Sequence, residues 1–301
     1  MNRDFHYIIS PEDANKTIRQ FLKEHDFSHK VMTHIKNTEN SVLLNGTAVY
    51  FNTQLKSQDQ LTIHLIEENK SEKIVPILLP FEIIYEDEDI LVVNKPADMP
   101  IHPSLKNYEN TLANAVAYYY ESKGLPFIFR CMNRLDRDTS GITIIAKNMY
   151  SAAVLSSQVT SHVLKREYLA IVTGAVTKEG TITAPIARKD GSTIEREVNF
   201  TNGESAITHY TPLANKTFNL PEESVTYSLL HIRLETGRTH QIRVHMSYIG
   251  HPLPGDFLYN PDYRIVKRQA LHSACLRFIH PVTKEAMQFE APLPPDLDIF
   301  T

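Results

Sequence analysis

The most chemically dense stretch of the chain is Asn133-Arg134-Leu135-Asp136-Arg137-Asp138-Thr139-Ser140-Gly141. It places two carboxylates and two guanidiniums within five residues and runs directly into an apolar segment, residues 142–146. A solvated turn can carry this much charge, but Leu135 inside the run and the strand-like segment after it indicate a loop anchored on the core. Ionisable groups on a loop that a rigid scaffold positions are typical of catalytic sites.

A second stretch offers an aromatic side chain. Residues 165–174 predict a strand in which Tyr168 shares one face with Ala170 and Val172. A buried core tyrosine is the common interpretation of such a residue. The functional interpretation is a ring that lies against a flat ligand, with its hydroxyl near the chemistry.

A third stretch, residues 234–246, predicts a strand that turns at a glycine into a short helix carrying Arg243. Thr239 is the predicted N-cap of this helix. His240 and His245 are five residues apart rather than four, so a zinc-binding helix is not predicted. We interpret the two histidines as structural hydrogen-bonding residues.

The elements before these stretches form a separate pattern. Residues 12–25 predict a helix, Ser28 is the predicted N-cap of a second helix, Asn45-Gly46 predicts a hairpin turn, and residues 61–65 predict a strand. This order resembles the small RNA-binding module named after ribosomal protein S-four, and the polar residues 67–73 predict a linker after it. On spacing alone its basic side chains are a solvated helix face: Lys16, Arg19, Lys23, Lys30 and Lys36.

Several elements are expected to position the three stretches. Strands at residues 81–85 and 90–94 flank the acidic residues 86–89, which predict a solvated turn. Helices are predicted at residues 110–123 and 149–161, and further strands at residues 181–186, 206–213 and 225–235. In the latter strand apolar and polar residues alternate, which is typical of a sheet with one buried face.

The chain resembles the RluA-type pseudouridine synthase family over roughly residues 80–295. That family carries a His-Arg-Leu-Asp signature that closes on Thr-Ser-Gly, and here Asn133 replaces the histidine. It also carries Lys-Pro-Ala-Gly-Met, which residues 95–99 match except that Asp98 replaces the glycine; Asp tolerates a positive φ better than most residues. Residues 165–174, 234–246, 252–256 and 271–274 continue the resemblance.

The resemblance implies an α+β fold: a mixed, largely antiparallel sheet with flanking helices, preceded by a small α/β RNA-binding module. It divides the chain into residues 1–70 and a catalytic domain of residues 71–301. It also implies site residues. Asp136 is the catalytic residue, Tyr168 stacks on the target base and Arg243 pairs with the aspartate. The expected RNA contacts are Arg134, Arg137, Lys165 and Arg238. The replacement at Asn133 is expected to alter RNA contact more than catalysis.

The implied reaction breaks the N1–C1′ bond of a uridine and rejoins the ring through C5. It is redox-neutral, so no cofactor and no metal are expected. A buried carboxylate that must stay ionised needs a nearby cation, which Arg243 would supply to Asp136. The aspartate's role stays open among attack on the uracil ring, attack on C1′ and abstraction of a proton at C2′.

Composition limits where RNA can bind. The net charge is −4 and the isoelectric point is about 6.4, so RNA contacts must come from local clusters of Lys and Arg. Two cysteines give neither a disulfide framework nor metal spacing. The N-terminus has no apolar signal region and no run approaches the ~20 apolar residues of a membrane span. We therefore expect a cytoplasmic protein, with a monomer as the default. The family resemblance implies that its partner is RNA, with 23S rRNA favoured and tRNA open.

Two other functions fit parts of the sequence. A catalytically silent RNA-binding protein would use the N-terminal module, but such a relative is expected to have lost Asp136. A glycosidase would use Asp136 and Asp138 as paired carboxylates. The chain has no tryptophan and no evident sugar-stacking residues near the pair, which disfavours this second alternative.

Overall fold

The N-terminal part of the protein is a small α/β unit. The computed structural model describes residues 1–71, 73–104 and 107–300. The unit contains β1 (Arg3–Ile8), α1 (Ile18–Glu24), α2 (His29–Lys36), β2 (Val42–Leu44), β3 (Thr47–Ala48) and β4 (Gln60–Leu65). Its strands form an antiparallel sheet in the order β1-β4-β2-β3. The first strand was not predicted from the sequence.

Local sequence explains most of this unit. The Ser28 side chain accepts a hydrogen bond from the backbone of Val31 and caps α2, as predicted. The turn between β2 and β3 has positive φ at Asn45 (51°) and Gly46 (80°), which confirms the hairpin. The first helix begins at Ile18 rather than at residue 12. Asn15 has a φ of 70°, a left-handed conformation that a helix interior excludes, so the predicted start was wrong.

The rest of the chain is built on one large sheet. Its strands are β5 (Glu82–Glu86), β6 (Ile90–Lys95), β7 (Ser140–Ala146), β8 (Lys165–Thr173), β9 (Gly180–Thr183), β12 (Ile207–Asn219), β13 (Ser224–Leu234), β14 (Leu271–Ile279) and β15 (Ala286–Glu290). A separate hairpin pairs β10 (Ile186–Arg188) with β11 (Arg196–Val198). The helices are α3 (Leu112–Glu121), α4 (Met149–Thr160) and α5 (Gln241–Tyr248). The fold is therefore α+β, as predicted.

The strand order of the large sheet is β5-β6-β7-β14-β8-β13-β12-β9, with β15 beside β14. All its pairings are antiparallel except the one between β7 and β14, so the sheet is mixed and largely antiparallel, as expected. The register aligns Lys95, Gly141, Ser273, Tyr168 and Ile232 in one row across five strands. This row brings the loop that precedes β7 close to the strand that carries Tyr168.

The acidic turn between β5 and β6 is solvated mainly at Glu88, whose side chain is 76% exposed; for Glu86 and Asp89 the prediction of a solvated turn was wrong. Asp89 is 2% exposed and accepts a hydrogen bond from Asn148 Nδ2 at 2.8 Å. Glu86 accepts from Lys147 Nζ at 2.8 Å and from the Tyr120 hydroxyl at 2.9 Å. The turn is an internal joint between the sheet and two helices, because buried carboxylates are retained only where hydrogen bonds satisfy them.

The same joint contains a group of ligand-type atoms. Oxygen or nitrogen atoms of Asp87, Asp89 and His280 lie within 4.8 Å of one another. However, Asp87 accepts from His280 Nε2 at 2.9 Å, and Asp89 accepts from Arg3 Nε at 3.2 Å. These side chains satisfy one another, so we interpret the group as structural.

The N-terminal unit packs directly on α4. The ring centroid of Tyr150 lies 4.8 Å from that of Phe5 and 4.6 Å from that of Phe27. Glu67, in the stretch predicted to be a linker, is 5% exposed, accepts a hydrogen bond from the Met149 backbone at 2.9 Å and forms an ion pair with Arg130. The linker interpretation was therefore wrong at Glu67. Across the described ranges, no helix has both the length and the apolar character needed to cross a bilayer.

Candidate active site

The loop that carries Asp136 is tied to β7 by Asn133. This side chain is 2% exposed; its Oδ1 accepts from the Ile144 backbone at 2.9 Å and its Nδ2 donates to the Ile142 carbonyl at 3.1 Å. The side-chain amide thus forms the same pair of hydrogen bonds to the backbone of β7 that a neighbouring strand would form. Leu135, 7% exposed, packs into the main core, as predicted. Because Asn133 is buried under the loop, it could alter RNA contact only through the position of the loop, and that expectation stays a prediction.

Lys95, at the end of β6, braces the same loop from one side. Its fully buried Nζ donates to the carbonyls of Pro96, Met99 and Arg137 at 2.7, 2.8 and 3.0 Å. Burial lowers the pKa of Lys95 to about 7, although the carboxylates of Asp138 and Asp136 act in the opposite direction.

The fourth residue of this lysine motif has the backbone conformation that was considered for it. Asp98 has a φ of 54°, the positive value that was considered for the position where it replaces the glycine of the family motif. The lysine-proline motif is therefore a support for the signature loop. The sequence identified this motif but did not predict that it supports the loop that carries Asp136.

A second brace comes from the segment before β14. Arg268 Nη1 donates to the Asp138 carbonyl at 2.8 Å, and its Nη2 donates to Ser140 Oγ at 3.1 Å. Gln269 Nε2 donates to Thr139 Oγ1 at 2.7 Å. The loop is therefore held at both ends, which fixes where the Asp136 carboxylate points. Neither Arg268 nor Gln269 was identified from the sequence.

Arg243, on α5, joins two carboxylates. Its Nη1 donates to Asp136 Oδ2 at 2.8 Å, and its Nε and Nη2 donate to the two oxygens of Asp256 at 2.6 and 2.7 Å. The side chains of Arg243, Asp256 and Asp136 are 2%, 0% and 27% exposed. Burial alone lowers the pKa of Arg243, but the hydrogen bonds to Asp256 and the charges of both carboxylates outweigh it and raise that pKa. The arginine is a fixed cation between a buried anchor and an accessible carboxylate.

The start of α5 differs from the prediction. His240, not Thr239, is the N-cap; its φ is 58° and its side chain makes no capping hydrogen bond. Its Nδ1 lies 3.0 Å from the Tyr259 hydroxyl, and its Nε2 lies 4.0 Å from Asp136 Oδ2. Burial lowers the pKa of His240, which favours the neutral imidazole. His240 therefore borders the site. The interpretation as a structural hydrogen-bonding residue is confirmed for the second histidine of the motif, His245.

His245 is fully buried behind the site. Its Nδ1 lies 2.9 Å from Thr208 Oγ1 and its Nε2 lies 2.8 Å from the Ala184 carbonyl. Both ring nitrogens are satisfied, which ties α5 to β12.

Asp136, Tyr168 and Arg243 line one cavity of about 60 Å³, together with Arg134, Leu135 and His240 among others. Burial raises the pKa of the Tyr168 phenol, which is 5% exposed, so the hydroxyl stays protonated. An apolar cavity of about 150 Å³ accepts benzene. A planar ring could therefore enter this smaller cavity only if side chains at its mouth moved. The structure does bring together the three side chains that the resemblance nominated.

Comparisons with known proteins agree with this geometry. The family model described as RNA pseudouridylate synthase matches residues 89–248. The chain belongs to the RNA pseudouridylate synthase family. The protein is therefore an isomerase, an RNA pseudouridine synthase. A second family model, described as the RluD ribosomal pseudouridine synthase N-terminal domain, matches residues 5–61.

Individual relatives cover most of the synthase. A Bacillus subtilis protein named as the uncharacterized RNA pseudouridine synthase YjbO is 41% identical over 283 residues, covering 93% of this chain and 96% of the relative. A Zymomonas mobilis protein named ribosomal large subunit pseudouridine synthase D is 42% identical, covering 73% and 72%. The structure of human RNA pseudouridylate synthase domain containing 1 superposes with a TM-score of 0.60 at 27% identity, covering 73% of the synthase and 86% of that chain.

The arginines predicted to contact RNA differ in their exposure and in the groups they already bind. Arg134 is exposed and lines the cavity. Arg137, 47% exposed, pairs with Asp138 at 2.9 Å. Arg238 donates to the Ser205 carbonyl at 3.0 Å and forms an ion pair with Glu204.

Lys165 is not brought to the site. Side chains alternate along a strand, so Lys165 lies on the opposite face of β8 from Tyr168, and Arg166 lies on the same face. Arg166 Nε is buried and has no hydrogen-bond partner within the described part of the synthase. Its Nη1 lies so close to Gly237 that a Cβ there would be 2.6 Å away. The alternation that aligned Tyr168 with Ala170 could have identified Arg166.

Proposed function

We propose that the synthase converts a uridine of large-subunit ribosomal RNA to pseudouridine, with Asp136 as the catalytic carboxylate. The observation that carries the proposal is the 2.8 Å salt bridge between Arg243 and Asp136 at a cavity that Tyr168 also lines. The rRNA substrate is supported by relatives that are named ribosomal large subunit pseudouridine synthase D.

The target uridine leaves its helix to reach Asp136. Extrusion of a base costs a few kcal/mol, and less in a loop or a bulge, so we expect an unpaired or weakly paired target. Arg134 is exposed at the mouth of the cavity, where it can move aside and then contact the RNA. The 60 Å³ cavity widens as the base enters.

Each side chain has a distinct task in this proposal. Arg243 holds the Asp136 carboxylate beside the ribose or the ring, which all three chemical roles of the aspartate require. The Tyr168 ring stacks on the detached uracil while the C5 proton is lost and N1 gains a proton. The isomerisation leaves no net change in atoms or electrons.

The RNA backbone is held by arginines around the cavity. Arg134, Arg137 and Arg238 are retained from the sequence expectations, and Arg166 replaces Lys165 because its side chain lies on the face of β8 that carries Tyr168. Residues 1–70 are proposed as an RNA-binding module of the synthase. An rRNA substrate fits the expected cytoplasmic location, and the monomeric state stays a prediction.

Asp136→Asn tests the catalytic assignment. Large-subunit rRNA transcribed in vitro is incubated with wild type and variant, and pseudouridine is mapped chemically. We expect the variant to lose activity by about a thousandfold or more while it retains the wild-type melting temperature and RNA affinity. Asp138→Asn is the matched control and should stay within about tenfold of wild type. Absence of product from wild type on rRNA, or an active Asp136→Asn enzyme, would contradict the proposal.

A further inference from the structure

An exposed aromatic ring lies beside the catalytic salt bridge. Phe257 is 46% exposed and directly follows Asp256, the buried anchor of Arg243. The guanidinium carbon of Arg137 lies 5.6 Å from the ring centroid and that of Arg243 lies 5.7 Å from it. Cations at this distance interact favourably with an aromatic ring. The ring therefore has a defined position although about half of it faces solvent.

The turn that carries Phe257 is held firmly. The Asp256 carbonyl accepts from the Asn260 backbone at 2.9 Å, and Asp256 Oδ1 accepts from the Leu258 backbone at 3.0 Å. Gly255 has a φ of 72°, and a Cβ there would lie 2.1 Å from the Arg268 carbonyl oxygen. The chain thus has little freedom to withdraw the ring into the core.

The surroundings of Phe257 decide what can cover it. A protein partner is normally recognised through a contiguous apolar patch. Here the neighbouring exposed side chains are charged: Arg137 is 47% exposed and Asp98, whose Oδ1 lies 3.8 Å from Arg137 Nε, is 81% exposed. A single aromatic face among charged groups suits a nucleobase, because bases stack on such faces while their phosphates stay among cations.

We propose that Phe257 stacks on the base of a nucleotide next to the target uridine and holds the RNA in register. This inference rests on the proposed function. The residue is a positioning residue: it acts on the RNA strand and not on the reacting atoms. Removing the ring should weaken RNA binding and leave the chemical step unchanged.

Tryptophan fluorescence tests the contact directly. The chain contains no tryptophan, so Phe257→Trp creates a single reporter. We expect its emission to be quenched when unmodified large-subunit rRNA transcript is added. Phe200→Trp is the matched control, because Phe200 is 69% exposed and no guanidinium lies over its ring within the described part of the chain. Its emission should not change. Equal emission of Phe257→Trp with and without RNA overturns the inference.

Steady-state kinetics test the positioning role. Phe257→Ala should raise the RNA concentration for half-maximal rate by about tenfold, the size typical of one lost stacking contact, and should change kcat by less than about threefold. Phe257→Tyr should behave as wild type. Phe257→Leu should behave as Phe257→Ala although it still covers Arg243. An active leucine variant with wild-type half-saturation would show that only apolar cover matters and would overturn the inference.

An abasic nucleotide identifies the partner base. Once the modified uridine is mapped, a stem-loop transcript with an abasic site at either neighbour is compared with the intact one. At one position the wild type should lose about as much affinity as Phe257→Ala does, and the variant should lose nothing further. If abasic sites at both neighbours lower the affinity of Phe257→Ala as much as that of wild type, stacking on either base is contradicted. If wild type forms no pseudouridine at all, the proposed function fails, whereas the fluorescence result still decides the inference.

Discussion

Asp256 shows how a single buried residue sets the geometry of the site. Its carboxylate receives two hydrogen bonds from Arg243, at 2.6 and 2.7 Å, and is itself fully buried. Paired oxygens hold the planar guanidinium in one orientation, which leaves Nη1 directed at Asp136. The residue touches no substrate in the proposed function, so its contribution to the rate is through Arg243.

Replacing Asp256 by Asn removes one charge of a buried pair with little change of shape. We expect Asp256→Asn to lower the free energy of unfolding by about 3 kcal/mol and the rate of pseudouridine formation on the order of a hundredfold, because Arg243 is released. Urea unfolding and rRNA assays measure the two effects. Asp26→Asn is the control: its ion pair with Lys284 is about half exposed, so a change within about 1 kcal/mol is expected. An unaltered rate would show that Arg243 needs no anchor.

His272 is a second residue whose state depends on burial. It is 1% exposed, its Nδ1 lies 2.9 Å from Ser140 Oγ and its Nε2 lies 3.2 Å from the Ala291 carbonyl. Desolvation lowers the pKa of His272 to about 4, although the hydrogen bond to Ala291 acts in the opposite direction. The folded protein therefore keeps this imidazole neutral down to about pH 4.

The consequence is a loss of stability in acid. Below pH 6.5 His272 is protonated in the unfolded chain but remains neutral in the folded chain. The free energy of unfolding therefore falls between about pH 6.5 and 4, by up to about 3 kcal/mol. In His272→Gln this contribution is absent, while the carboxylates titrate as before. Urea unfolding at pH 7.0 and 4.5 should show a steeper decline for wild type. Equal declines in both proteins would contradict the prediction.

At the scale of elements, the pairing of β7 with β14 places the catalytic loop. This parallel contact joins Gly141 to Ser273, which pairs on its other side with Tyr168. Gly141 has a φ of 109°, and a Cβ there would lie 2.2 Å from the Ser273 carbonyl oxygen. The two strands meet at a distance that only glycine permits, and the loop before β7 is thereby held against β8.

Gly141→Ala should separate these strands. We expect a loss of about 3 kcal/mol or more in the free energy of unfolding, because the methyl group meets backbone on a neighbouring strand rather than a flexible side chain. Gly191→Ala is the matched control: Gly191 also has a positive φ, 75°, but no atom lies within 4 Å of its added Cβ. It should cost only about 1 kcal/mol. Equal losses in the two variants would mean that φ alone, not the close approach, requires glycine.

Over the whole molecule, the N-terminal unit and helix α4 share one apolar cluster. Tyr150 and Val154 of α4 are buried with Phe5, Phe27 and Leu22 of the N-terminal unit. The Tyr150 hydroxyl also donates to the His25 carbonyl at 3.1 Å. The proposed RNA-binding module is thus packed on α4 of the catalytic domain rather than attached by a free tether.

Tyr150→Ala should loosen this docking. Large-to-small substitutions at buried aromatic positions cost about 3–5 kcal/mol. Hydrogen exchange should accelerate in residues 5–65 more than in β7 and β8, because the N-terminal unit loses a side chain from its core. Tyr118→Ala, at a position 37% exposed on α3, should leave exchange unchanged. Uniform acceleration over the whole chain would show that the two parts unfold together.

Local patterns in the sequence were enough to predict several features of the site. The charged loop before an apolar strand, the face of β8 that carries Tyr168 and the cap at Ser28 all follow from periodicity and turn chemistry, which act over a few residues. The same alternation puts Arg166, and not the predicted Lys165, on the face of β8 that carries Tyr168. The pairing of Asp136 with Arg243 came from the family resemblance, since no local rule relates residues 107 positions apart.

Tertiary structure alone decided which charges are buried and what they contact. The sequence placed Lys95 and Asp256 in family motifs without indicating what they contact, and it placed Glu67 in a polar linker. A carboxylate or an ammonium is retained in the interior only when groups distant in the chain supply its hydrogen bonds. Those partners are determined by how the strands pair, so their effect on the site is established only when the sheet has formed.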